Sequence, residues 1–215
     1  MCLTGCALSA CGVFSPASPS SPSAVTFEFD GTFQRSCTVN ADHSCNAAPF
    51  GSGVAPGTPV TGHLRFDPNT RGVAILNTDQ SRLISYAGVA VDFTVGTSVV
   101  SGNDSSIGAL EVDSYGDGTG DQFGVTIVRG FRSGQVAGLG IDCFLIVLPI
   151  VPSRFPDASL PRAPSIFDLT LQYAGAPLAR VDICHYASPD LWPLALEGPG
   201  ATRLEGQIST VRLLR

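Results

Sequence analysis

Hydrophobic and polar residues alternate along most of the chain, and the pattern is clearest between residues 110 and 128. Leu110 and Val112 alternate with Glu111 and Asp113, and residues 123–128 alternate again after an acidic, glycine-rich stretch. Period-two alternation on both sides of a Gly/Asp cluster is typical of two strands joined by a loop. The sequence therefore predicts a β-hairpin here, the unit around which we expect the chain to be organised.

Similar runs recur from residue 25 to residue 213 and are separated by turn-forming Gly, Pro, Asn and Asp. Four apolar residues of the first run share one parity, with Gly31 as a candidate bulge: Val25, Phe27, Phe29 and Phe33. Further strands are predicted at 60–66, 73–76, 83–86, 89–95, 167–173, 178–186 and 204–213. Residues 141–147 are almost continuously apolar, which is typical of a strand buried on both faces. No regular element is expected in the proline-rich segment 149–164.

About ten strands without a convincing amphipathic helix favour an all-β fold. We predict an antiparallel β-sandwich, jelly-roll-like, formed by residues 25–215 as a single domain. The chain has 215 residues, of which 44% are hydrophobic, enough for a sizeable core. The formal net charge is −6 and all 12 basic residues are arginines that form no stripe along the sequence. This distribution excludes a typical nucleic-acid interface and disfavours an anionic membrane surface.

The first residues of the chain are small and apolar and end in Leu8-Ser9-Ala10-Cys11. This tetrapeptide resembles the lipobox of bacterial lipoproteins, which implies lipidation of Cys11 and a membrane anchor through its acyl chains. No basic residue precedes it, so an ordinary small-residue N-terminus is the alternative. The Ser/Pro-rich residues 12–24 suit an extended tether or a disordered terminus. Residues 1–24 are thus predicted as a leader and tether.

Four of the seven cysteines lie within the predicted domain, an even number that suits two disulfides in an oxidising compartment. We predict that Cys37 pairs with Cys45 and that Cys143 pairs with Cys184 across two strands. A zinc site formed by Cys37, His43 and Cys45 is the alternative for the first pair, although it lacks a fourth ligand.

Several motifs, taken in order, resemble secreted bacterial proteins of the PEP-CTERM group, which exosortase sorts. They lie at residues 60–67, 86–95, 120–123, 159–161, 167–173 and 204–209. The resemblance implies an extracellular β-sandwich at the outer cell surface of a bacterium, with no catalytic residue to carry over. We expect extracellular polysaccharide or other surface proteins as partners. The C-terminal sorting tag of that group does not follow Arg212, which leaves Cys11 as the candidate anchor.

The acidic stretch of the predicted hairpin contains Asp113, Asp117 and Asp121. Calcium takes several oxygen ligands from a loop that wraps around it, so these three residues form a candidate calcium site. Their spacing differs from compact calcium loops, whose ligands alternate, and a plain solvated loop is the alternative.

The sequence gives only weak indications of catalytic or sugar-binding residues. The histidines are His43, His63 and His185, no Gly-x-Ser-x-Gly elbow occurs, and no spacing singles out a pair of acids. Exposed aromatic rings can stack on sugars, and Trp192 and Tyr186 are the candidates, followed by Tyr115 and Tyr86. We expect a non-catalytic surface or matrix protein that needs no cofactor. A carbohydrate-binding module with structural calcium is the second hypothesis, and a secreted hydrolase is the third.

Overall fold

The structure, a computed structural model, describes residues 23–42, 44–77, 81–102, 108–115, 121–128, 131–150, 160–173, 176–186 and 199–214. Within these residues the chain forms strands and one short 3-10 helix, Pro164–Ile166. The first nine strands are β1 (Val25–Val39), β2 (Cys45–Ala47), β3 (Pro59–Phe66), β4 (Val73–Asn77), β5 (Ser81–Ala87), β6 (Ala90–Val95), β7 (Ser98–Gly102), β8 (Gly108–Tyr115) and β9 (Asp121–Val128). The others are β10 (Phe131–Ser133), β11 (Gln135–Val136), β12 (Leu139–Gly140), β13 (Cys143–Ile150), β14 (Gln172–Tyr173), β15 (Ala176–Pro177), β16 (Arg180–Tyr186) and β17 (Ala201–Leu214).

Most strands belong to one antiparallel sheet with the order β10-β7-β6-β3-β1-β17-β16-β13-β9-β8-β5-β4, and β2 pairs with β1. The predicted hairpin is confirmed, because β8 and β9 pair from Gly108 opposite Ile127 to Asp113 opposite Gln122. This hairpin lies towards one end of the order, however. The two longest strands, β1 and β17, lie near its middle, so the organising unit inferred from the sequence is wrong.

Aromatic contacts show how the sheet folds over itself into two layers. The ring of Phe93 on β6 stacks on Phe144 of β13 at a centroid distance of 5.1 Å, although these strands are distant in the order. The tilted rings of Phe66 on β3 and Phe123 on β9 are also in contact, at a centroid distance of 5.7 Å. The β6-β3-β1 side therefore covers the β13-β9 side, with fully buried phenylalanines between them. The predicted all-β antiparallel sandwich is confirmed.

The first strand follows its predicted parity and contains the predicted bulge. Phe27, Phe29 and Phe33 are buried, and the register between β1 and β17 shifts between Asp30 and Gly31. A Cβ atom at Gly31 would lie 2.2 Å from the carbonyl oxygen of Gln207. The backbones therefore approach too closely here for any side chain.

Two expectations about the region after residue 141 are wrong. Strand β13 is buried on both faces, as predicted, but it continues through Pro149 to Ile150. Its pairing with β16 ends at Val147, so the missing N–H of Pro149 interrupts no ladder on that side.

The alternating segment 167–173 is not a continuous strand. The Asp168 carboxylate accepts hydrogen bonds from the backbone N–H and the hydroxyl of Thr170, which forms a turn. The N–H of Leu171 also bonds to the carbonyl of Asp168, so that only β14 remains extended. Local side-chain hydrogen bonds override the alternation at this position.

Both predicted disulfides are confirmed. The Cys37–Cys45 bond joins β1 to β2 with a Cα–Cα distance of 5.5 Å. The Cys143–Cys184 bond joins directly opposite residues of β13 and β16 at 5.0 Å. The cysteines help to form a second apolar cluster on the outer face of the sheet: Val39, Cys143, Cys184, Tyr186 and Ala201, with Cys45 against it.

Candidate functional site

A polar groove of about 360 Å³ runs over β1, β17 and β16, beside the second apolar cluster. Residues of β17 alternate there: Leu204, Gly206 and Ile208 are buried, while Arg203, Glu205 and Gln207 point outwards. The outward side chains of β16 and β1 complete the groove, chiefly Arg180, Asp182, Gln34 and Arg35. The site is thus built by the outward parity of three neighbouring strands and by the irregularity at Gln34, where the register of β1 on β17 shifts between Phe33 and Arg35.

Glu205 lies where the charges of the groove converge. Its carboxylate accepts a hydrogen bond from Arg203 Nε at 2.7 Å and pairs with Arg35 through the other oxygen. Oε1 of Glu205 also lies 3.9 and 4.0 Å from the sulfurs of Cys37 and Cys45. Burial raises the pKa of Glu205, but the hydrogen bonds and charges of Arg35 and Arg203 outweigh it, so the pKa is lowered. The carboxyl group therefore stays ionised at neutral pH.

Asp182 lies directly opposite Glu205 on the neighbouring strand and is only 7% exposed. Two like charges in this position would repel each other. Cations offset the repulsion: Arg203 and Arg35 hold Glu205, and Arg180 Nε lies 3.7 Å from Oδ2 of Asp182. That last distance is an ion pair without a hydrogen bond, and 46% of the Arg180 side chain is exposed.

The rim of the groove combines amides and apolar groups. Gln34 donates a hydrogen bond from its amide to Oε1 of Gln207 at 2.8 Å, linking β1 to β17. Ala176 and Pro177 on β15 add apolar groups to the lining. Pockets of this volume are within the range that holds small ligands.

The thiol ligands of the alternative zinc site are joined in the Cys37–Cys45 disulfide. Within the described residues, these two sulfurs and a Glu205 oxygen lie within 4.8 Å of one another, but a disulfide offers no thiolate to a metal. His43 lies outside the described residues. The donor set therefore does not suit zinc in the oxidised protein.

Two of the histidines considered above lie in ion-pair networks. His63 Nδ1 is 2.6 Å from Oδ1 of Asp92, and its Nε2 is 3.6 Å from Oε2 of Glu28, which pairs with Arg212. These four residues form an outer row across β6, β3, β1 and β17.

His185 Nδ1 lies 3.0 Å from both the Asp142 carboxylate and the Gly140 carbonyl. The same carboxylate accepts the backbone N–H of Tyr186. Asp142 and His185 thus join the end of β16 to the segment before β13, which is a structural arrangement.

The predicted sugar-stacking rings are not assembled by the described residues. Tyr186 is 7% exposed within the second apolar cluster, which is a core position and not an accessible platform. Tyr86 is also 7% exposed. Trp192 lies outside the described residues, and only the backbone of Tyr115 is described.

The remaining site predictions stay predictions. Asp113 and Asp121 belong to β8 and β9, where the structure describes the backbone, and Asp117 lies outside the described residues. Cys11 and the rest of the predicted leader also lie outside them.

Comparison with protein families, with curated proteins and with solved structures finds no match to this chain. Among the described residues there is no helix of the length and hydrophobicity that crossing a membrane requires. The groove residues escape sequence analysis because their meeting depends on pairing between distant segments. The signal in the sequence is the outward parity of Arg180 and Asp182, and of Arg203, Glu205 and Gln207.

Proposed function

We propose that this protein is exported and acts without catalysis at the cell surface or in the extracellular matrix of a bacterium. The supporting observation is the pair of disulfides, each of which joins neighbouring strands. Such bonds form and persist in oxidising compartments and are rare in reducing ones. Its partners would be extracellular polysaccharides or other surface proteins.

Fractionation of the native host combined with thiol alkylation tests this proposal. We expect the protein in the medium or accessible to protease on intact cells, with its four described cysteines alkylated only after reduction. The intact mass would also report whether Cys11 is lipidated. Recovery in the cytosol with all four thiols alkylated before reduction would overturn the proposal.

The chemistry of the groove agrees with binding more than with hydrolysis. A glycosidase needs a carboxylic acid that keeps its proton near neutral pH beside a second carboxylate. Glu205 has a lowered pKa because two arginines hold its ionised form, and Asp182 faces Arg180. The Glu205 carboxylate is therefore arranged to stay charged and to accept hydrogen bonds, which does not suit a general acid.

Carbohydrate binding is the second candidate, and the groove is the observation that favours it. Sugar sites need many hydrogen-bond donors and acceptors held in fixed positions, and arginines, carboxylates and an amide meet here on three paired strands. We therefore propose the sheet face, and not Tyr186, as the sugar-binding surface. Affinity chromatography on immobilised polysaccharides tests it, since a glycan-binding protein is retarded by at least one class of polymer.

A further inference from the structure

We propose that the groove over β1, β17 and β16 binds an acidic sugar residue, one that carries both a carboxylate and free hydroxyls, within an extracellular polysaccharide. This inference deepens the carbohydrate-binding proposal and rests on it. Arg180 is assigned the carboxylate of the sugar, and the groove carboxylates and Gln34 its hydroxyls.

The balance of charge is the first argument. Three arginines and two carboxylates line the groove, which leaves one positive charge locally in a chain whose formal net charge is −6. Arg35 and Arg203 are both engaged with Glu205. Arg180 is not held in this way, because among the described residues its nearest charged atom is at 3.7 Å, and nearly half of its side chain faces solvent.

The position of Arg180 is the second argument. A guanidinium group presents several N–H donors in a fixed plane, which suits a carboxylate. Arg180 lies directly opposite Gln207, whose amide oxygen is already bonded to Gln34. A ligand carboxylate bound to Arg180 would therefore lie beside the amides of Gln207 and Gln34, which can bond to polar groups next to that carboxylate.

The carboxylates of the groove decide which kind of anion fits. Asp182 and Glu205 are hydrogen-bond acceptors and would repel an inorganic anion that offers acceptors only. Sugar hydroxyls donate hydrogen bonds to such carboxylates. A ligand with one carboxylate and several hydroxyls matches both halves of the groove, whereas a neutral sugar offers no carboxylate to the exposed side of Arg180.

Isothermal titration calorimetry with a short oligogalacturonate tests the inference on the oxidised full chain. A neutral oligosaccharide of equal length and inorganic sulfate are the comparison ligands. We expect the oligogalacturonate to bind, with an affinity that falls as salt is raised. The variant Arg180→Gln should weaken binding about tenfold, the loss typical of one charge-assisted hydrogen bond. Gln34→Ala, an exposed change that leaves the charge untouched, should weaken it by a smaller factor.

Arg65→Gln is the matched control, because it removes the same charge from an exposed position on β3 outside the groove. Its affinity should equal that of the unaltered protein. An equal loss in both arginine variants, equal binding of the neutral oligosaccharide, or sulfate binding as tightly as the oligouronate would overturn the assignment. Absence of oligouronate binding would overturn it too. Retention on an immobilised neutral polysaccharide combined with that absence would leave the carbohydrate-binding proposal standing, so the two failures are distinguishable.

Discussion

Glu205 is the residue at which charge, burial and covalent structure meet. It accepts hydrogen bonds from two arginines and lies next to the Cys37–Cys45 disulfide. Partial burial opposes its ionisation, but the arginines more than compensate, and the pKa is lowered as a result. A carboxyl group with a lowered pKa in the folded state stabilises the fold whenever it is ionised.

The pH dependence of the variant Glu205→Gln tests this. We expect the variant to be less stable by about 1–2 kcal/mol at pH 7, allowing for solvent screening of partly exposed partners. The contribution is fully present above the ordinary pKa of 4.5 and is lost as the pH falls through the lowered folded-state value. Urea unfolding between pH 7 and pH 3 should show the two proteins converge. A constant difference across this range would contradict the assigned role.

Gly31 has a steric role at the centre of the sheet. A methyl group there would lie 2.2 Å from the Gln207 carbonyl oxygen, so Gly31→Ala must displace β17 from β1. We expect a loss of about 1–3 kcal/mol in unfolding free energy. Gly140→Ala is the control, because nothing lies within 4 Å of a Cβ atom there. Thermal melts of the two variants check the prediction, and equal melting temperatures would contradict it.

Each disulfide binds one strand to its neighbour, but the two bonds close very different lengths of chain. Cys143 and Cys184 are 41 residues apart in sequence, and Cys37 and Cys45 are 8 apart. In the chain-entropy account, a longer closed loop removes more freedom from the unfolded chain. Cys184 is also fully buried, so its replacement leaves unfilled space.

Replacing each pair by alanine ranks the two bonds. Loss of the Cys143–Cys184 bond should cost about 4 kcal/mol, and loss of the Cys37–Cys45 bond about 2.5 kcal/mol, on the chain-entropy relation. Urea unfolding without reductant measures both. The opposite ranking would contradict both the chain-entropy account and the packing argument from Cys184.

At the level of elements, sequence patterns succeed where a strand has one buried face. Alternation located the runs of β1, β3, β6, β16 and β17, and the cysteine count led to both disulfides. The sequence pattern failed at Pro149, which is tolerated in β13 because β16 no longer pairs there. It also failed at Asp168, whose carboxylate accepts hydrogen bonds that form a turn. Neither the end of a partner strand nor a side-chain turn is visible in hydrophobic periodicity.

For the whole molecule, the two layers are joined by aromatic contacts between strands that are not neighbours. Phe144 meets Phe93 at 5.1 Å and Phe29 at 6.2 Å. The pairing order that creates these contacts and the groove was not predictable. Cys37 and Arg203 lie opposite each other on β1 and β17 but are far apart in the sequence. Alternation shows which face of a strand a residue lies on, but it does not show which strand is its neighbour. The sequence therefore does not predict the groove, although alternation gives the outward parity of its arginines.

A double-mutant cycle tests the layer contact. Phe93→Leu and Phe144→Leu should be non-additive by about 0.5–1.5 kcal/mol, since each removes the same stacked pair. Phe144→Leu combined with Val73→Ala should be additive, because Val73 is 65% exposed on β4. Equilibrium unfolding of the parent, both single variants and the double variant of each cycle gives the two coupling free energies. Additivity in the first cycle would contradict the facing layers.

The position of β17 has a consequence for biogenesis. This strand, synthesised after the other strands that the structure describes, is inserted between β1 and β16 and joins the two halves of the sheet. Until the ribosome has made it, both halves present unpaired edges, and contacts that span nearly the whole domain cannot form. The sheet therefore stays incomplete until residues 201–214 have been synthesised. If the protein is exported as proposed, this late completion of the sheet keeps the chain open for threading through a secretion channel before it folds.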